Sequence, residues 1–217
     1  MTISLAYNDK IAILELGDDE NRFSPGFLDE IDTHLDEIVA GGADGLVTTA
    51  GGKFYTNGLD LDWLTAHGEQ YQWYVGRVHA LLARVLTLPI PTAAAVVGHA
   101  FGAGAMLALA HDFRVMRADR GYFCFPEVDI HIPFTPGMAA LIQTKLAPQA
   151  AIASMTTGRR FGGGDAASIG IVDATAAEGA ATDAAVDLLR PLSGKSQETL
   201  GAIKQTMFAH AVEVLQT

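Results

Sequence analysis

Two short segments of this chain carry residue types that could do chemistry: Gly98-His99-Ala100-Phe101-Gly102-Ala103-Gly104 and Phe125-Pro126-Glu127. In the first, an apolar stretch with strand character over 91–97 runs through small residues straight into a helical run over 103–110. Small residues let a ligand approach the backbone closely, and the first turn of a helix offers N–H groups without internal partners. In the second, a lone carboxylate stands beside a proline and apolar neighbours, where it can serve as a base. Backbone donors beside one acid point to chemistry on a carbonyl compound.

Positioning such a site takes a layered scaffold, and the hydrophobic periodicity supplies one. Residues 3–7 and 11–16, joined around Asn8-Asp9, read as a β-hairpin. Ser24 and Pro25 form a cap and first helical position, and Phe27, Leu28, Ile31, Leu35 and Ile38 recur at helical spacing until Gly41-Gly42. A short strand over 46–49 precedes Lys53-Phe54-Tyr55-Thr56 and the turn Asn57-Gly58-Leu59-Asp60. One long helical region containing Trp63, Tyr71, Trp73 and Tyr74 is expected to continue to about Leu86. Strands over 113–116 and 122–125 follow, then helices capped at Thr135-Pro136 and Pro148, a glycine loop at 162–164 and a late strand over 169–172. Strands alternating with helices imply an α/β fold with a largely parallel sheet and right-handed crossovers.

Composition narrows the function classes. The chain has 217 residues, 49% of them hydrophobic, enough for one sizeable core. A formal net charge of −11 argues against a nucleic-acid partner, because phosphate backbones call for clustered Lys and Arg. Between Arg84 and His111 no residue is charged, apart from His99 when protonated, a length that could cross a bilayer. Pro89, Pro91, Gly98, Gly102 and Gly104 interrupt it, so no membrane span is expected. The N-terminus has no basic region before an apolar one, and Cys124 is the only cysteine, so a cytoplasmic enzyme is expected. The seven histidines and the cysteine show no metal-ligand spacing, and no phosphate-binding glycine loop follows a strand.

The segments Phe54-Tyr55-Thr56-Asn57-Gly58-Leu59-Asp60-Leu61, 98–107 and Phe125-Pro126-Glu127-Val128-Asp129-Ile130, in this order and spacing, resemble the crotonase (enoyl-CoA hydratase/isomerase) superfamily. The resemblance runs from the first hairpin to about Val172. It implies a parallel-sheet spiral of ββα repeats over 1–175 and a helical segment over 176–217 that serves trimerisation and covers coenzyme A. It also implies that the carbonyl oxygen of an acyl-CoA thioester lies between the backbone N–H groups of Leu59 and Ala103, with Glu127 as the acid/base. Hydratases of the family carry a further glutamate in the helix after the glycine-rich junction; here that position is Met106. A thioether cannot orient or deprotonate water, whereas one carboxylate suffices to move a proton between carbons. The pattern therefore looks like the 3,2-trans-enoyl-CoA isomerases.

Further expectations follow for individual residues. Asn57, Gly58, Asp60, Gly102, Met106, Trp63 and Phe125 are expected around the substrate, and Arg22 and Lys204 are the candidates for the CoA phosphates. Asp60 and Asp62 can brace the turn and the helix after it. Trp63, Tyr71, Trp73 and Tyr74 either line the acyl pocket or simply pack an amphipathic helix. Asp129, two residues beyond Glu127, would face the same side of an extended segment and is the alternative acid. His99 and His131 flank the site. No metal or separate cofactor is implied, coenzyme A being part of the substrate, and a homotrimer or pair of trimers is expected. Other enolate reactions, such as hydration, thioester hydrolysis or a lyase step, and non-catalytic binding of acyl-CoA or a partner protein, remain the alternatives.

Overall fold

The N-terminal hairpin forms as the alternation predicts: β1 (Ser4–Asn8) pairs antiparallel with β2 (Ile11–Glu15). The structure, a computed structural model, describes residues 3–217; Met1 and Thr2, at the start of the N-terminal reading, lie outside it. The remaining strands are β3 (Gly45–Thr49), β4 (Phe54–Thr56), β5 (Thr92–Val96), β6 (His99–Phe101), β7 (Phe113–Arg117), β8 (Phe123–Cys124) and β9 (Ala174–Ala176). They form a six-stranded sheet of order β1-β2-β3-β5-β7-β9 and a three-stranded sheet of order β4-β6-β8. Every pair after the hairpin is parallel.

The first five helices are α1 (Pro25–Ala40), α2 (Leu61–Ala66), α3 (Tyr71–Leu86), α4 (Ala103–Ala110) and α5 (Pro136–Lys145). α6 (Pro148–Met155), α7 (Gly163–Ser168), α8 (Ala181–Leu189), α9 (Gln197–Met207) and α10 (Ala209–Leu215) complete the chain. Ser24 caps α1 by accepting from the Phe27 N–H, and the five residues at helical spacing are its buried ones. Thr135 caps α5 in the same way, accepting from Met138 N. Every residue of α4 is buried, which suits a helix apolar on all sides. Among the described residues, no helix is long and apolar enough to cross a membrane.

Side chains alternate across the large sheet and define its two layers. Ala93 and Ala95, with Ile11, Val47 and Val115, pack against Ala181, Ala185, Val186 and Leu189 of α8. Ala94 and Val96 face the opposite way, into the main core with α1, α3 and α4. A buried polar chain then ties the two sheets together. The Tyr55 hydroxyl lies 2.7 Å from Thr48 Oγ1, which lies 3.0 Å from His111 Nε2, and His111 Nδ1 lies 2.8 Å from the Leu107 carbonyl. Burial pushes His111 down to about 4. The neutral ring donates from Nδ1 to Leu107 and accepts at Nε2, so the tautomer is set by its partners. This chain holds β4 in place beside α4.

Four local expectations are corrected. A separate strand, β6, lies between β5 and α4, because residues 99–101 pair with β4 and β8 instead of continuing β5. The expected single helix to Leu86 breaks into α2, a 3-10 turn over Gly68–Gln70, and α3. Gly163 and Gly164 open α7 and are not part of a loop, since Gly162 O accepts from Ala166 N to close its first turn. The late strand is β9 and not 169–172: Ile171 and Val172 are buried in a turn on Ala166.

Candidate active site

The turn after β4 is fixed from behind. Buried Asn21, at φ +49, donates from Nδ2 to the carbonyls of Gly17, Phe54 and Tyr55. Thr56 Oγ1 donates to the Asn21 carbonyl and accepts from Gly58 N at 3.0 Å. Gly58 has φ +78, and its carbonyl accepts from Phe23 N. A β-carbon at Gly58 would stand 2.7 Å from the Phe101 carbonyl oxygen and 2.9 Å from Ala103 N. The absence of a side chain there is what lets this turn lie against the start of α4.

That contact brings two free donors together. Leu59 follows Gly58, and Ala103 is the first residue of α4, so its N–H lies outside the intrahelical pattern. Among the described residues, neither Leu59 N nor Ala103 N donates to another group, while the flanking Gly58 N, Asp60 N and Gly102 N all do.

Glu127 lies across from them, on the turn after β8. Asp129 N and Ile130 N both donate to the Pro126 carbonyl, and Ile132 N donates to the Glu127 carbonyl. The side chain is 9% exposed, and its Oε2 is buried without a hydrogen-bond partner. Loss of hydration pushes the carboxyl up to about 7. A carboxyl poised near neutrality can both take and return a proton.

A cavity of about 310 Å³ joins these groups, with Leu59, Ala103, Met106 and Glu127 in its walls beside Arg22, Asn57 and Gly102. The rest is mainly apolar: Phe101, Ile132, Phe134 and Met138, with Asp62 beside Arg22. A larger cavity of about 810 Å³ lies between α3 and α10, but no Asp or Glu lines it. Its one histidine, His79, is held by the Leu215 carbonyl and Thr135 Oγ1. The smaller cavity is the one equipped for proton transfer.

Other expected residues stand elsewhere. Gly58 is behind the turn, and Asp60 caps α2 by accepting from Trp63 N at 3.1 Å. Trp63 stacks on His67 and packs against Trp73 and Tyr74, outside the cavity walls; the Tyr74 hydroxyl oxygen accepts from Asp60 N. Phe125 is fully buried one layer back, edge-on to Phe123 and Phe134. Arg22 reaches the cavity but is already bound by Glu20 and by Asp62 at 2.5 Å.

Two expectations fail on geometry. Lys204 is buried and is not among the cavity walls, donating to Asp112 Oδ2 at 2.6 Å and to the Ile90 carbonyl at 2.8 Å. Two of its three N–H bonds are used there, and a side chain only 3% exposed does not reach a phosphate at this site. Asp129 does not share a face with Glu127, because residues 127–131 form a turn and not an extended strand. Its carboxylate lies against Gly158, where an added β-carbon would meet Oδ2 at 2.2 Å. His99 sits among the rings of Phe54, Phe101 and Tyr122 on the small sheet, and His131 is exposed on a neighbouring groove. Sequence reasoning missed Met138 in the cavity wall and the buried brace Asn21. The one signal for Asn21 was an uncharged amide following the acidic run 18–20.

Comparison with known proteins points to one family. The family model for enoyl-CoA hydratase/isomerase matches residues 7–217. Peroxisomal enoyl-CoA delta isomerase 2 of Arabidopsis thaliana is 35% identical over 213 residues, spanning 92% of this chain and 88% of its own. A probable enoyl-CoA hydratase from Mycobacterium tuberculosis superposes with a TM-score of 0.92 at 24% identity, over 99% of this chain and 91% of its own. Human mitochondrial delta3-delta2-enoyl-CoA isomerase superposes with a TM-score of 0.90 at 20% identity, over 98% of this chain and 85% of its own. At these identities the two structures speak for the fold alone. With nearly its whole length matched by the family model, this chain belongs to the enoyl-CoA hydratase/isomerase family.

Proposed function

We propose that this protein is an enoyl-CoA isomerase that moves a double bond from C3 to C2 of an unsaturated acyl-CoA. The observation that carries the reading is the single buried, unpartnered carboxylate of Glu127 in a cavity shared with two free backbone donors. Support also comes from relatives at about 35% identity that are named delta isomerases. As carboxylate, Glu127 removes a C2 proton from the 3-enoyl thioester. The electron pair delocalises through the carbonyl onto the thioester oxygen and through the C3–C4 double bond onto C4, and the Leu59 and Ala103 N–H groups bind the resulting dienolate. Each preorganised donor of this kind is worth about 100- to 1000-fold in rate. Protonated Glu127 then returns the proton to C4, leaving the conjugated 2-trans-enoyl thioester and the starting carboxylate.

Met106, 1% exposed, occupies the wall where a second acid would be needed to activate water. The other carboxylate at the cavity, Asp62, is an exposed side chain engaged by Arg22. The reaction uses no metal or separate cofactor in this proposal. Its assembly as a homotrimer or pair of trimers is part of the same reading, supported by exposed Ile203 and Met207 on α9.

The test is conversion of a 3-enoyl-CoA, followed by the rise in absorbance of the conjugated thioester. Glu127→Gln should lower kcat by about 100- to 10,000-fold. Formation of 3-hydroxyacyl-CoA or free coenzyme A instead would assign another enolate reaction. Tight binding with no turnover by the wild type would make the protein a binding module.

A further inference from the structure

The cavity that holds Glu127 shares a wall with a neighbouring groove. Ile132, Pro133 and Phe134 line it, and these three, together with Glu127, also line a second groove of about 480 Å³. The groove is further bordered by Val128, His131, Ala139 and Met155, so apart from Glu127 and His131 it is apolar. Phe134 is held edge-on against Phe125, with ring centroids 6.1 Å apart, and Phe125 is itself fully buried. The wall is therefore anchored in the core at one point and borders a second, mainly apolar space.

Volume indicates what the wall does. At roughly 30 Å³ per non-hydrogen atom, the share of a water molecule in the liquid, a cavity of 310 Å³ holds about ten atoms. Three of these are the carbonyl carbon, the oxygen and the sulfur of a thioester. The remainder corresponds to an acyl chain of about eight carbons in all.

We propose that Phe134, backed by Ile132 and Pro133, is the specificity-determining stop of the acyl pocket. It sets a limit near octanoyl length, and the groove behind it is the space that longer chains enter once the stop is removed. The ligand class rests on the isomerase reading of the same cavity; the length limit is tested separately from the reaction.

Binding of saturated acyl-CoA thioesters to the full chain, measured by calorimetry from hexanoyl to tetradecanoyl, is the experiment. Each buried methylene raises affinity about fourfold. Wild type should climb with length to octanoyl and then level off or fall. Phe134→Ala should continue to climb, raising the ratio of tetradecanoyl to hexanoyl affinity by at least about tenfold. Phe134→Leu keeps an apolar side chain against Phe125 and should show the same trend with a smaller gain, which covers a folding failure of the alanine variant. A wild type that climbs steadily to tetradecanoyl, or variants that change every length by one factor, would overturn the stop. No binding at any length would overturn the stop and the acyl-CoA reading together. An intact length limit in a protein without isomerase turnover would overturn only the proposed reaction.

Discussion

A β-carbon on Gly102 would stand 3.4 Å from Oε1 of Glu127, so the carboxylate lies against the loop that delivers Ala103 N. Gly102 has φ +52 and ψ −125, a conformation that L side chains rarely adopt, and its own N–H is held by the Cys124 carbonyl. The acid and one donor are thus placed by a single short piece of backbone. Oε2 is left buried without a partner, and that missing hydrogen bond has measurable consequences.

Glu127→Gln should stabilise the fold at neutral and alkaline pH while removing activity. The folded carboxyl is raised from 4.5 to about 7 by burial, so the folded state holds its proton more tightly than the unfolded chain does. Its favourable contribution is complete below pH 4.5 and is lost as pH rises to about 7. The uncharged glutamine does not titrate. The stability gap between variant and wild type should therefore open across that window and level off on the order of 3 kcal/mol. Urea unfolding at a series of pH values measures it, and a gap independent of pH would refute the assignment.

The same group sets the pH dependence of the reaction. Proton removal from C2 requires the carboxylate, so kcat/KM for the 3-enoyl thioester should rise as pH passes about 7 and then reach a plateau. A profile already flat from pH 5 upward would mean that the base is some other group.

Met106→Glu tests the one-acid reading from the other side. A second carboxyl in the same cavity disfavours ionisation of the first, because like charges at short range raise each other's titration. The midpoint of the kcat/KM profile should move above about 7, and kcat at pH 7 should fall by at least about threefold. An unchanged midpoint would show that the two side chains do not share one electrostatic environment. Hydratase activity is a further readout, although its absence leaves the isomerase reading standing, since water must also be held in the right place.

The parts of this site legible in the sequence are those decided by local chemistry. Ser24-Pro25 and Thr135-Pro136 announce their helices because a cap bonds a backbone group three residues away. Gly58, Leu59 and Ala103 are legible because their turn and junction lie within short motifs. Asp129 was misplaced because the hydrogen bonds to the Pro126 carbonyl, which curl the chain after Glu127, leave no period in the residue pattern. Lys204 was misplaced because its partner, Asp112, lies 92 positions away. Strand β6 is three residues of an apolar run, and only pairing with β4 and β8 separates it from β5. The pocket wall at Ile132 and Phe134 is likewise a product of tertiary packing.

Gly58→Ala should abolish isomerisation with a modest effect on folding. The residue sits at φ +78, and an added methyl would meet the Phe101 carbonyl oxygen at 2.7 Å and Ala103 N at 2.9 Å. Both free donors border this contact, so pushing it apart misaligns them together. A loss of at least about 100-fold in kcat is expected, with a stability cost of about 1–3 kcal/mol from backbone strain. Turnover within about twofold of wild type would mean that the Leu59 and Ala103 N–H groups do not act on the substrate.

Lys204 provides the clearest separation between a ligand contact and a structural one. Its side chain is 3% exposed and donates to Asp112 Oδ2, which also accepts from Thr92 N and Oγ1. Lys204→Met leaves that carboxylate partly buried without its counter-charge, a change that costs about 3–5 kcal/mol when a buried pair is broken. Asp112 retains 18% side-chain exposure and the two Thr92 donors, so the lower end of that range is expected. Lys204→Met combined with Asp112→Leu should recover only part of the loss, because neither charge is then unpaired but buried Thr92 loses the acceptor for its N–H and hydroxyl. Throughout the set, KM for acyl-CoA should stay within about twofold of wild type, a shift well below 1 kcal/mol. A tenfold or greater rise in KM with unaltered thermal stability would instead assign Lys204 to the phosphates of coenzyme A.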